Sequence, residues 1–134
     1  MLTGSMARNA WGIPRTTHDL DFVVQVPPSQ IAIFAKVFTE DYFIDEAAIR
    51  AAYQAPYQFN AIHVPSASKI DFWMLRPVAF EREMFVRKLR HEIFGETAWI
   101  ATPEDVILHK LYWNQITPSD RQLRMARVRR SARD

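Results

Sequence analysis

Three aspartates have the residue type and spacing of a metal-binding site. Asp19 and Asp21 begin residues 19–26, a segment that alternates with period two and is rich in β-branched residues. On a strand, two carboxylates at this spacing project from the same face. About 5 Å apart at an effective dielectric constant of about 20, they repel by roughly 3 kcal/mol, so they need a metal ion, an arginine or open water. The third aspartate, Asp71, lies inside an apolar run, where burial without a partner is strongly disfavoured.

The role of Asp71 depends on which strand lies beside its own. If residues 69–75 pair with the strand of Asp19, three carboxylates converge, and such hard oxygen ligands suit Mg²⁺ or Mn²⁺. Alternatively, Asp71 forms a salt bridge to Lys69 or to a nearby arginine. The Asp19 and Asp21 pair alone is a weak motif. Alternation along this run places two sets of side chains on opposite faces, Lys69, Asp71 and Trp73 against Ile70, Phe72 and Met74.

A glycine–serine turn precedes the acidic pair. Residues 1–3 predict a short strand and Ser5 the start of a helix, so Gly4 lies at a strand-to-helix junction. Glycine lets the backbone approach a ligand there, and the helix N-terminus offers free amide groups to phosphate oxygens. The 13 residues between Ser5 and Asp19 allow one short helix and a return into the next strand.

Hydrophobic periodicity predicts the elements that position these residues. Strands are expected at 42–44, 57–64 and 69–75, a hairpin at 91–101, and helices at 30–40, 45–53, 78–90 and 106–115. The core-facing side chains of the helix 30–40 are predicted to be Ile31, Phe34, Val37 and Phe38. Asp45 is expected to cap the helix 45–53, and Thr102 the last helix. The order of elements predicts an α+β domain, a mixed sheet with helices packed mainly on one face.

Composition limits the chemistry and the location of the protein. The 134 residues contain no cysteine, which excludes disulfides, zinc fingers, iron–sulfur sites and thiol nucleophiles. No apolar stretch approaches the roughly 20 residues that cross a bilayer, and no signal peptide opens the chain, so a cytoplasmic protein is expected. The net charge is +2, but residues 119–134 carry six Arg against two Asp. A domain at 1–118 and a basic C-terminal tail at 119–134 are therefore expected.

Residues 3 to about 123 resemble a known family. The Gly4–Ser5 turn, the Asp19 and Asp21 pair, and Asp71 are similar to the signatures of minimal nucleotidyltransferases of the DNA polymerase beta superfamily. Residues 102–111 are similar to a helix of bacterial toxin–antitoxin and abortive-infection relatives. Relatives carry a helix and most of a strand before the turn and an acidic, apolar segment after residue 123, so both ends are expected to be shortened.

The resemblance implies transfer of a nucleoside monophosphate from a nucleoside triphosphate to a hydroxyl group of a protein, RNA or small molecule, with two Mg²⁺ or Mn²⁺ ions. In this scheme Asp19 and Asp21 hold the ions that bridge the triphosphate. Asp71 ligates the ion nearest the acceptor hydroxyl and helps to deprotonate it. A cognate toxin or antitoxin protein is a further expected partner, and a membrane is not.

Four residues are expected to bind the nucleotide, namely Gly4, Ser5, Arg15 and Lys110. The turn would hold the β and γ phosphates, while Arg15 either contacts the phosphates or braces the loop before Asp19. Lys110 is either a second phosphate contact or an exposed helix lysine. Two other functions stay open: a nucleotidyltransferase-like module that binds a nucleotide or partner without turnover, and a nucleic-acid binder that uses residues 119–134.

Overall fold

A computed structural model describes residues 1–11, 20–93 and 95–116. The strands are β1 (Leu2–Thr3), β2 (Leu20–Val24), β3 (Tyr42–Phe43), β4 (Gln58–His63), β5 (Ser68–Met74), β6 (Leu89–Ile93) and β7 (Glu96–Ile100). The helices are α1 (Gly4–Ala10), α2 (Ile31–Lys36), α3 (Glu46–Ala51), α4 (Ala79–Arg87) and α5 (Pro103–Ile116). The predicted α+β class with a mixed sheet is confirmed. The basic tail predicted at 119–134 lies outside the described residues.

The seven strands form one sheet in the order β3-β4-β5-β2-β1-β7-β6. β2 is parallel to β5 and β1 is parallel to β7, while the other neighbouring pairs are antiparallel. The strand that carries Asp71 therefore lies directly beside the strand that carries Asp21. This adjacency is the condition on which the predicted convergence of carboxylates depends.

One face of the sheet is apolar and packs against helices. Phe22, Phe72 and Phe59 stand opposite one another on β2, β5 and β4, so their side chains share this face. The ring centroids of Phe22 and Phe59 lie 5.8 Å and 5.0 Å from that of Phe72. Ile31 of α2 and Ile49 of α3 are buried in the same cluster. The apolar strand positions thus form a core with α2 and α3.

A second part of the core involves α1 and α5. Leu2 stands opposite Phe22 and forms a buried cluster with Ala7 of α1 and Val106 of α5. Phe22 packs against both clusters, so the two parts are continuous along the apolar face. Within the described ranges, no helix combines the length and the apolar character needed to span a membrane.

The helix predicted at 30–40 is shorter than expected. A 3-10 turn occupies Pro28–Gln30, and α2 ends at Lys36. Phe34 and Phe38 pack against the core as predicted, but the prediction for Val37 is wrong, because this side chain is 75% exposed. At about 100° per residue, Val37 lies about 120° around the helix axis from Ile31, which turns it away from the sheet.

The expected N-caps of two other helices are confirmed. Asp45 accepts a hydrogen bond from the backbone N–H of Ala47 at 2.9 Å, at the start of α3. Thr102 Oγ1 accepts one from the backbone N–H of Asp105 at 3.1 Å, at the start of α5. α4 ends at Arg87 rather than at residue 90, because β6 begins at Leu89.

Candidate active site

A row of four polar residues crosses four neighbouring strands, and we call it the polar row. Thr3 stands opposite Asp21, Asp21 opposite Asp71, and Asp71 opposite Asn60. Since directly opposite residues share a face and successive residues alternate, the polar row lies on the face away from Phe22. Neighbouring strands are about 4.8 Å apart, so the backbones that carry the two carboxylates are about that close.

Gly4 brings the start of α1 against the Asp21 carboxylate. Its φ is +67°, a conformation that side-chain-bearing residues rarely adopt. A β carbon at this position would lie 2.3 Å from Oδ2 of Asp21 and 2.9 Å from its Cβ and Cγ. Both the backbone and the close approach therefore require glycine. Ser5 is the second residue of α1, so the first amide groups of this helix follow directly on the contact with Asp21.

Asp71 forms the salt bridge that the sequence allowed as an alternative. Lys69 Nζ lies 3.4 Å from Oδ1 of Asp71, with side-chain exposures of 44% and 13%. The two residues are i and i+2 on β5 and share the face of the polar row. The ammonium offsets part of the roughly 3 kcal/mol by which two carboxylates at this spacing repel each other. The ion pair stabilises a charged Asp71 beside Asp21, and it leaves the role of Asp71 as a metal ligand open.

The chemistry of the donors fits a divalent ion. Asp21 and Asp71 supply carboxylate oxygens from adjacent strands, and these are the ligands that Mg²⁺ and Mn²⁺ prefer. In the part of the chain that the structure describes, no group of three His, Cys, Asp or Glu side chains could hold a metal ion. The third predicted ligand, Asp19, lies outside the described residues, as does Arg15.

Sequence reasoning missed two members of the polar row. Thr3 is 2% exposed, and its Oγ1 has no hydrogen-bond partner among the described residues. Asn60 is half-buried on β4 opposite Asp71. Thr3 directly precedes the Gly4–Ser5 turn but was given no role, and Asn60 belongs to no motif. Only the strand register places them beside the carboxylates. The alternation along residues 57–64 is the one sequence signal that could have assigned Asn60 to a polar face.

Lys110 is half-buried on α5, a helix that packs against α1. α1 is the helix that begins at Gly4, so α5 lies next to the element that carries the predicted phosphate-binding turn. Whether Lys110 contacts a nucleotide stays a prediction.

An ion pair between exposed Arg87 and buried Asp105 connects α4 and α5. Arg87 donates hydrogen bonds to both carboxylate oxygens of Asp105, at 3.0 Å and 2.8 Å, and lowers the pKa of that carboxyl. His109, one turn further along α5, is 7% exposed. Burial and, to a smaller extent, the charge of Arg76 lower the pKa of His109 to about 4, against the opposing effect of Asp105. His109 is therefore neutral near pH 7, and the charged contact between the two helices is that of Arg87 with Asp105.

No known protein-family model matches this chain, and a search of curated proteins finds no match either. The resemblance to nucleotidyltransferases accordingly depends on the residues of this sequence. Of the residues that carry this resemblance, the structure describes Gly4 of the turn, Asp21 of the acidic pair, and Asp71.

Proposed function

We propose that the protein is a metal-dependent nucleotidyltransferase that moves a nucleoside monophosphate from a nucleoside triphosphate to a hydroxyl group. The observation that carries this proposal is the pairing of Asp21 with Asp71 on adjacent parallel strands, with Gly4 packed against Asp21. Two carboxylates beside a glycine turn at a helix start provide a place for divalent ions and, next to it, amide groups for phosphate oxygens.

The carboxylates of this chain have separate roles in the proposed reaction. Asp21, together with Asp19, would hold divalent ions beside the triphosphate, and Asp71 would ligate the ion nearest the acceptor hydroxyl and help to deprotonate that hydroxyl. Divalent ions bound there supply positive charge that offsets the charge of the phosphates. The acceptor oxygen transfers its proton towards Asp71 and attacks the α-phosphorus. The bond from that phosphorus to the bridging oxygen breaks, and pyrophosphate leaves. Gly4 and Ser5 contact the β and γ phosphates through backbone amides.

The proposal extends to the setting of the reaction. Residues 102–111, which comprise the residue before α5 and the first part of that helix, are similar to a helix of bacterial toxin–antitoxin relatives. We infer a role in such a system, with a protein or an RNA as the acceptor and a cognate toxin or antitoxin as a partner.

Thermal unfolding with each of the four ribonucleoside triphosphates, with and without Mg²⁺, tests the site. A ligand at about 100 times its dissociation constant stabilises the folded protein by roughly 2.7 kcal/mol. We expect one nucleotide to raise the unfolding temperature only with Mg²⁺, and Asp21→Asn and Asp71→Asn to abolish the shift. The same variants should lose Mg²⁺-dependent release of pyrophosphate from that nucleotide.

Asp41→Asn is the matched control, because Asp41 is exposed and lies outside the polar row. It should keep both the shift and the pyrophosphate release. Full release of pyrophosphate by Asp21→Asn would contradict the proposal. A Mg²⁺-dependent shift without any pyrophosphate release would favour the binding module that has lost turnover.

A further inference from the structure

The ammonium group of Lys69 lies beside a carboxylate oxygen of Asp71 that a bound cation could also contact. Its Nζ lies 3.4 Å from Oδ1, on the side of the sheet that carries Asp21 and Asn60. The Lys69 side chain is 44% exposed, whereas the Asp71 side chain is only 13% exposed. The carboxylate is therefore largely enclosed, whereas the Lys69 side chain is the solvent-accessible member of the pair.

We propose that Lys69 is a positioning residue that acts as a tethered counter-ion, which a divalent ion replaces at Asp71. This inference rests on the proposed function, because it concerns the same metal site. A Mg²⁺ or Mn²⁺ ion that ligates Asp71 takes over the negative charge that Lys69 neutralises. The ammonium and the divalent ion repel each other, so metal binding is an exchange of one cation for another.

The properties of lysine suit such an exchange. Its ammonium is a compact point charge on a flexible four-carbon chain, and it can leave a carboxylate without breaking a fixed bidentate geometry. Because the Lys69 chain is partly exposed, the released ammonium can move into solvent or towards the phosphates of a bound nucleotide. With this exchange, the site would bind a free metal ion weakly. It would bind a metal–nucleotide complex more tightly, because the phosphates of the nucleotide attract the released ammonium.

Binding of Mn²⁺ to the full chain without nucleotide, measured by titration calorimetry, tests the exchange. Lys69→Met removes the competing charge, so we expect the affinity for Mn²⁺ to rise about 10-fold. Lys69→Arg keeps a cation that can pair with Asp71 in a bidentate manner, and it should bind Mn²⁺ no more tightly than the wild type does. The matched control is Lys36→Met, since Lys36 is an exposed lysine on α2, which packs on the apolar face. Circular dichroism establishes that each variant folds.

A double-mutant comparison shows whether Lys69 acts through Asp71. In an Asp71→Asn background, the further change Lys69→Met should neither raise the affinity for Mn²⁺ nor restore its binding. If the wild type binds Mn²⁺ and Lys69→Met binds it equally or more weakly, the inference is overturned while the proposed metal site stands. If neither the wild type nor Lys69→Met binds Mn²⁺, both the inference and the proposed metal site are overturned.

Discussion

Replacing Gly4 with alanine tests the contact that builds the site. At φ +67°, an alanine is strained by about 1–2 kcal/mol, because its β carbon crowds the backbone. The new β carbon would also lie 2.3 Å from Oδ2 of Asp21 and 2.9 Å from its Cβ. Rotation of the carboxylate relieves the first contact but not the second, so forced packing adds about 1–3 kcal/mol. We expect a total loss of about 2–5 kcal/mol.

Gly95 provides the matched control, because it separates the two parts of this cost. Its φ is +78°, but a β carbon there would meet nothing within 4 Å. Gly95→Ala should therefore lose only the backbone part, about 1–2 kcal/mol. Urea unfolding monitored by tryptophan fluorescence measures both variants. Equal losses for Gly4→Ala and Gly95→Ala, within about 0.5 kcal/mol, would refute the packing of Gly4 against Asp21.

Two further predictions concern α5. The folded pKa of His109 is about 4, below its ordinary 6.5, so the unfolded chain takes up this proton first as the pH falls. Stability should decline between about pH 6.5 and 4 by roughly 3 kcal/mol from this group, and urea unfolding of His109→Gln should show a smaller decline. Thr102→Ala removes the hydrogen bond to the Asp105 N–H and should cost about 1 kcal/mol in urea unfolding at pH 7, whereas an equally stable variant would exclude a capping role.

The elements of this fold were largely predictable because local signals in the sequence determine them. Alternation along residues 69–75 assigned Asp71 and Phe72 to opposite faces, and the structure confirms both assignments. Side-chain caps likewise marked the starts of α3 and α5. The ends of the elements were harder to predict. α2 ends before Val37, where the chain turns towards β3, and hydrophobic periodicity carries no information about that turn.

The candidate site was predictable only in part. Motif and spacing pointed to Asp21, Asp71 and Gly4, which the structure brings together. Thr3 and Asn60 could not be assigned, because their places follow from long-range strand order and register. Local sequence does not specify which strand lies between two others. Asp19 and Arg15 lie outside the described residues, so their roles stay predictions.

The apolar core also determines the geometry of the carboxylates. Asp21 and Phe22 are consecutive on β2, and their partners Asp71 and Phe72 are consecutive on β5. Sliding one strand by a single residue would place a carboxylate opposite a phenylalanine and break both the ring stack and the polar row. Burial of the phenylalanine rings makes that slip strongly unfavourable. The side chains that stabilise the fold thus hold two mutually repelling charges side by side, an arrangement that a bound cation would stabilise further.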